Sequence, residues 1–301
     1  MMNGNKNSSY DYRLLIEEDL KEEFLDDSFH PSSSSGSLRS LRLPWHVFRI
    51  PFRHAIRVVL ALPLGAFIFA ILWAMYTDYD RAVNVLCANE DGRKIRNYLP
   101  SLSAAIGDFP VSRAVWTTCV VLHAPPRFLF GSMYLQYFES IVPSSMQSWV
   151  FAAWISSVLE LLGLVGLSII TSGQNLPFHA FCFAIFLIFS ELYMLLQCYL
   201  QSKMTKGQAV TGVEAKSLKI KKCLTKLIIV CTVMLFIVYF RHEAKCEQGM
   251  YTIFAFIEYV VILANMGFHV CAYWDFYDRV IVIDILRPLM SPNTKNLSWD
   301  F

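Results

Sequence analysis

The sequence predicts an all-α fold: a polytopic bundle of six transmembrane helices with both termini in the cytosol. Three observations carry that expectation. The 301 residues are 55% hydrophobic and 17% charged, with a mean hydropathy of +0.42, whereas soluble domains are about 45–50% apolar and about 25% charged. Six stretches of about 20 mostly apolar residues occur, the length an α-helix needs to cross about 30 Å of hydrocarbon. Positive charge on the flanking segments then orients them. Twenty-six Lys+Arg against 24 Asp+Glu leave a net charge of +2, without the basic excess that a nucleic-acid partner requires, so that class of function is excluded.

Residues 1–57 read as a cytosolic, largely disordered tail. Met1 to Asp27 is acidic and has no apolar stretch of the kind a cleaved signal carries. Ser28 to Ser40, with its run Ser32 to Ser35, is too polar to bury a core and offers sites for phosphorylation. Tyr12-Arg13-Leu14-Leu15 is similar to a tyrosine-type sorting signal. The expected spans are Val58 to Tyr76, Ala114 to Tyr137, Trp149 to Ile170, Phe178 to Leu200, Leu224 to Phe240 and Met250 to Trp274, making residues 58–274 the membrane domain. Lys226 falls inside the fifth span, one turn from its end, where a lysine can snorkel to the interface. Residues 275–301 form a second cytosolic tail, since the run Val280 to Leu286 is too short to cross. Arg39, Arg42, Arg49, Arg53 and Arg57 precede the first span, and Lys203, Lys206, Lys216, Lys219, Lys221 and Lys222 fill the segment between the fourth and fifth. Those segments are therefore cytosolic and the first, third and fifth loops lumenal. The sequons at Asn7 and Asn296 would then stay unglycosylated.

Eight cysteines divide by compartment. Cys119, Cys182, Cys198, Cys231 and Cys271 lie in spans and Cys223 at a cytosolic helix end, where thiols stay reduced. Cys87 and Cys246 are left on lumenal loops, and an oxidising lumen predicts a Cys87–Cys246 bridge.

Ionisable residues inside a bilayer are costly, so each is a site hypothesis. Counted at about 1.5 Å per residue from each lumenal end, His123 lies about 13 Å deep, Arg127 about 20 Å, Glu160 about 15 Å, Glu191 about 20 Å and Glu258 about 12 Å. Those five share a layer and imply a polar pocket in the lumenal half of the membrane. His269 comes out about 28 Å deep and reads as an interfacial histidine. Tyr251, Glu258, Asn265 and His269 form a stripe on one helix face. Pro125 and Pro126, between His123 and Arg127, withdraw the helical partners of the Val121 and Leu122 carbonyls, as at a kinked, cavity-lining segment. Three readings of the layer stand side by side: an ion pair of Arg127 with Glu160 or Glu258 that fixes packing, a lipid-headgroup site, and a catalytic site. No serine-hydrolase elbow, zinc helix, phosphate loop or dinucleotide fingerprint occurs. His269 and Asp275 are six apart, which differs from the His-x4-Asp pattern of glycerolipid acyltransferases.

Three segments carry a resemblance. Asn97-Tyr-Leu-Pro-Ser-Leu-Ser-Ala-Ala-Ile-Gly-Asp108, Leu122-His-Ala-Pro-Pro-Arg-Phe128, and Val238 to Phe254 running into Glu258-Tyr259, Asn265-Met266, His269 and Trp274-Asp275 resemble the post-GPI-attachment-to-proteins factor 2 family. That family sits within a wider group of Frag, DRAM and Sfk-type membrane proteins that includes the N-terminal part of the fungal GPI-lipid ceramide remodelling protein. The resemblance implies a multi-pass Golgi or ER protein needed for reacylation of lyso-GPI at sn-2 with a saturated chain. Its partners would be GPI-anchored proteins or lyso-GPI, membrane lipids and other GPI-remodelling factors. It implies no metal and no cofactor, the acyl donor being acyl-CoA or a phospholipid.

The matching positions are His123, Arg127, Arg241, His242, Cys246, Glu258, Asn265 and His269. On that reading His123 is the base for the sn-2 hydroxyl, Glu258 or Glu160 orients it, and Arg127 holds the phosphate or the acyl oxyanion. Asn265, His269, Arg241 and His242 complete the substrate-binding set. The chain departs from the family in its acidic, serine-rich tail and in Ala124, where a serine is expected, which excludes a nucleophile at that position. The alternative to an acyltransferase is a non-enzymatic protein that binds lyso-GPI or scaffolds the enzyme. A transporter would need inverted repeats with paired broken helices, which the sequence lacks.

Overall fold

The computed structural model describes residues 47–83, 95–204, 212–277 and 279–284. The sorting-like tetrapeptide, the serine run, both sequons and Cys87, with its expected bridge to Cys246, lie outside the described residues. In chain order the elements are β1 (Val47–Pro51), α1 (Phe52–Thr77), α2 (Tyr79–Val83), α3 (Leu102–Gly107), α4 (Pro110–Ile141), α5 (Gln147–Ile169), α6 (Leu176–Met204), α7 (Gly212–Lys245), α8 (Met250–Val270), α9 (Ala272–Asp275) and β2 (Val280–Asp284). The described residues are overwhelmingly helical, and the long helices outrun the expected spans by one or more turns at half of their ends.

Five stretches are long and apolar enough to cross a membrane: Phe52–Thr77, Ser144–Ile169, Leu176–Met204, Gly212–Lys245 and Met250–Asp275. Their outward faces remain apolar, with Val58, Leu72, Phe181, Ile188, Ile237 and Phe240 each about 60% exposed, as befits helices solvated by lipid. The chain is a multi-pass membrane protein. Helix α4, at 32 residues, is longer than most of them but is absent from that set. Its two prolines, its basic groups and its hydroxyls lower its apolarity, and the face it buries carries Ser112, His123 and Arg127 among aromatic residues. It stays helical through Pro125 and Pro126.

Packing follows the residue sizes. Gly163 of α5 lies against α6 so closely that a Cβ there would come 2.7 Å from the Phe186 amide nitrogen and 3.0 Å from the Cys182 carbonyl oxygen. Gly131 of α4 faces Ser157 of α5 in the same way, at 2.9 Å from Oγ. Ala66, Ala70 and Ala74 recur every fourth residue on α1, and Ala70 accepts a hydrogen bond from Ser112 of α4 at 3.3 Å. The turn between α7 and α8 uses Gly249 at φ 81, a conformation that costs glycine nothing.

The two ends of the bundle differ. At one, which we call the sheet end, β1 and β2 pair antiparallel with Val47 opposite Asp284 and Pro51 opposite Val280. Both strands come from segments that the sequence assigns to the two cytosolic tails. An aromatic cluster of Phe52, Phe130, Tyr134, Phe138 and Phe276 packs beneath them. At the other end the loop before α4 folds inward. Ser101 caps α3 by accepting from the Ala104 amide at 3.0 Å, and Leu102, Ala105 and Ile106 are buried among the long helices.

Candidate functional site

A cavity of about 60 Å³ lies between α1, α3, α4, α5, α6 and α8, with room for a few water molecules. His123, Arg127, Glu160, Glu258, Asn265 and His269 line it, together with Ser103 and an apolar wall that includes Leu161, Leu164 and Phe186. The ionisable and amide groups come from three separate stretches of sequence, α4, α5 and α8, and meet at one place.

Glu160 is the hub. It accepts from Arg127 Nη2 at 3.3 Å, from His269 Nε2 at 3.0 Å and from Asn265 Nδ2 at 2.9 Å. Asn265 also reaches Ser190 Oγ at 2.9 Å, Arg127 touches His269 directly, and the Tyr193 ring stacks on His269 at 5.6 Å. All four charged or titratable members are buried, so each charge is offset only by its partners.

His269 is therefore no interfacial histidine, and the reason lies in the helix ends. Depths counted from the sequence assume ends at one level. Gly249 and Thr252, at the start of α8, bond to Arg96 and Tyr98. By contrast the first turn of α3 meets α8 at Glu258, eight residues or about 12 Å further along, where the Leu102 amide donates to Glu258 Oε2 at 2.8 Å. The α5–α6 loop packs on α3 at that lower level, Ser172 Oγ donating to the Ser103 carbonyl at 3.1 Å. Helix α8 thus starts about two turns above the end of α5, and His269 drops into register with Glu160. The pair Arg127–Glu258, one of two the sequence left open, does not form. Glu258 instead binds the first turn of α3.

His123 owes its orientation to a proline on another helix. Pro63 of α1 has no N–H, so the carbonyl of Val59, four residues before it, lacks its helical donor. His123 Nδ1 supplies one at 2.9 Å. A carbonyl can only accept, so a proton sits on Nδ1, and in the neutral imidazole Nε2 then keeps its lone pair, on a ring that lines the cavity.

Three predicted site residues stand apart. Arg241 is half exposed and pairs with Glu247 at 2.8 and 3.1 Å, an ion pair that holds the Glu247 carboxyl below its usual range. His242 is buried against the Tyr251 ring at 5.5 Å. Neither lines the cavity, because both belong to α7, none of whose residues reaches it. Glu191 does not line it either, and its buried Oε1 has no hydrogen-bond partner among the described residues.

Two groups escaped the sequence reading. His179 donates from Nδ1 to the Ile170 carbonyl at 3.0 Å and meets Ser103 Oγ through Nε2 at 3.1 Å. At the sheet end the fully buried Lys221 ammonium pairs with Asp275 and donates to Gln201 Oε1 at 3.1 Å. Asp275 also accepts from Tyr134 at 2.6 Å and Ser217 at 2.7 Å. In the sequence Lys221 reads only as a flanking charge, and nothing in its spacing separates it from its exposed neighbour Lys222.

The family model of the Frag1/DRAM/Sfk1/Cwh43P N-terminal domain matches residues 51–279. The chain is 36% identical to the Post-GPI attachment to proteins factor 2 of Drosophila melanogaster over 238 residues, 79% of this chain and 91% of that one. It belongs to the post-GPI attachment to proteins factor 2 family. Acyltransferase PGAP2 of Xenopus tropicalis is 35% identical over 74% of this chain and 86% of its own. Protein cwh43 of Schizosaccharomyces pombe is 26% identical over 76% of this chain but only 22% of its own length, so this family's fold forms one part of a larger relative. No solved structure matches the chain. The matched residues 51–279 include every residue of the cavity described above.

Proposed function

We propose that this protein remodels the lipid of GPI anchors, reacylating lyso-GPI at sn-2 with a saturated chain as the acyltransferase itself. The names of its relatives support the remodelling role, and one observation supports the catalytic one. In a buried cavity, His123 has Nδ1–H fixed on an orphaned carbonyl and an Nε2 lone pair without a hydrogen-bond partner among the described residues. That is the state a general base must be in before it takes a hydroxyl proton. Arg127, on the same wall one helical turn away, carries a charge that matches a phosphate or an acyl oxyanion. Glu160 and His269 hold Arg127 in place, while Glu258 anchors α3 as the cavity's lid. The acyl donor is a phospholipid or acyl-CoA, and the setting is the Golgi or ER membrane.

Six crossings with both termini cytosolic fit this reading. The pairing of β1 with β2 brings the start of α1 and the end of α9 to the same end of the bundle, which requires an even number of crossings. Five strongly apolar helices need a sixth, and α4 is long enough, at about 48 Å. Its His123 and Arg127 face the cavity rather than lipid.

Purified protein in nanodiscs, given lyso-GPI and a labelled acyl donor, tests the activity. Wild type should form the diacyl product and His123→Ala of equal melting temperature should lose about 10²–10⁴-fold in rate. Equal rates would remove His123 from the chemistry. Absence of product with lyso-GPI still bound would favour a binding or scaffolding role.

A further inference from the structure

The pair Ser103–His179, which joins α3 to the first turns of α6, repeats the device that orients His123. The Ile170 carbonyl ends α5 and has no intrahelical donor. His179 Nδ1–H takes it at 3.0 Å, which leaves the lone pair on Nε2, and that nitrogen lies 3.1 Å from Ser103 Oγ. The serine hydroxyl therefore donates to a histidine whose tautomer is already set. This is the arrangement of an activated nucleophile, with an orienting group behind the base. The pair is shielded: His179 is 4% exposed. It is also placed, since Ser103 lines the same cavity as His123 and Arg127. Its backbone is clamped by Ser172 Oγ at 3.1 Å, and Glu258 Oε1, at 3.5 Å, is the more distant of the two acceptors open to its single hydroxyl proton.

We propose that Ser103 is a nucleophile that carries the acyl group between donor and acceptor, so that transfer runs in two half-reactions. This rests on the acyltransferase reading above. In the first, Ser103 Oγ attacks the carbonyl of an acyl ester or thioester, its proton passes to His179 Nε2, and the donor's acyl–oxygen or acyl–sulfur bond breaks. The departing oxygen or sulfur takes that proton from His179, leaving an ester on Ser103. In the second, the acceptor hydroxyl loses its proton to His123 Nε2 and attacks the Ser103 ester. The Ser103–acyl bond breaks and the proton on His123 goes to Ser103 Oγ. Two histidines with preset tautomers thus have one half-reaction each, His123 from the cavity wall and His179 from behind Ser103.

The test omits the acceptor. Wild-type protein in nanodiscs is incubated with labelled stearoyl-phosphatidylcholine or stearoyl-CoA, quenched in acid and digested, and the peptide containing Ser103 is weighed. The expected result is one added acyl mass on Ser103, none in Ser103→Ala or His179→Ala of matched melting temperature, and a thioester cleaved by neutral hydroxylamine in Ser103→Cys. With lyso-GPI present, Ser103→Ala should transfer about 1,000-fold more slowly or worse. Transfer by wild type without any adduct, or transfer by Ser103→Ala at the wild-type rate, overturns the inference and leaves the acyltransferase standing. An adduct on Ser103 without transfer to lyso-GPI upholds the nucleophile and overturns the assigned acceptor. Neither adduct nor transfer overturns both.

Discussion

Lys221 and Asp275 show how much a single side chain can matter here. The ammonium is 1% exposed and is held by Asp275, Gln201 and Tyr134. Removing one partner of a buried pair strands the other, at about 3–5 kcal/mol, whereas replacing both with apolar groups is often nearly neutral. Lys221→Met should therefore lower stability by about that amount in detergent micelles, and Lys221→Met with Asp275→Leu should recover most of it. Denaturation of the two variants side by side measures the difference, and equal losses would refute a charge-pair account. At this scale the sequence was informative about residue type and silent about partners. Arg127 stood equally well opposite Glu160 or Glu258, since a helical net fixes the face of each helix but not which neighbour that face meets.

At the scale of elements the telling residue is Pro63. Mid-helix proline costs a helix about 3 kcal/mol or more, yet here the carbonyl it frees sets the proton of His123. Pro63→Ala should restore the bond within α1, so the melting temperature should hold or rise while acyl transfer falls. The ¹⁵N shifts of the His123 ring should report loss of the fixed tautomer. Unchanged transfer and unchanged shifts would sever the link. The α5–α6 contact gives a second prediction. A methyl at Gly163 meets backbone atoms of α6 at 2.7 and 3.0 Å that cannot rotate away, so Gly163→Ala should cost about 1–3 kcal/mol as overpacking does. Gly65, with nothing within 4 Å of its Cβ position, should accept alanine without loss. Thermal unfolding of both variants checks the pair.

For the whole molecule, the prediction concerns its two faces. If the sheet end is cytosolic, cysteines placed at Ile50 and Ile281, which are register partners, should be joined by a short bifunctional thiol reagent. Asn7 and Asn296 should both remain unglycosylated in a secretory membrane. A glycan at either site would reverse the orientation. The long helices were legible in the sequence because twenty apolar residues in a row leave the backbone one way to satisfy its polar groups in lipid. The short pieces were not legible. The strands β1 and β2 are five residues each and more than 200 residues apart, and neither can form without the other. Helix α3 has six residues and is a helix because Ser101 and Glu258 cap it inside the bundle.

The sequence by itself determined the helices, the family and the buried polar residue types, each of which depends on composition or on spacing along one chain segment. Tertiary structure alone decided the level at which each helix starts. That level brought His269 beside Glu160 and placed Ser103 of an inward-folded loop against His179, while the position of α7 in the bundle left Arg241 and His242 outside the cavity. Such distances depend on how the connecting loops pack, and a polar side chain's partner in a bilayer is whichever group that packing brings within about 3 Å.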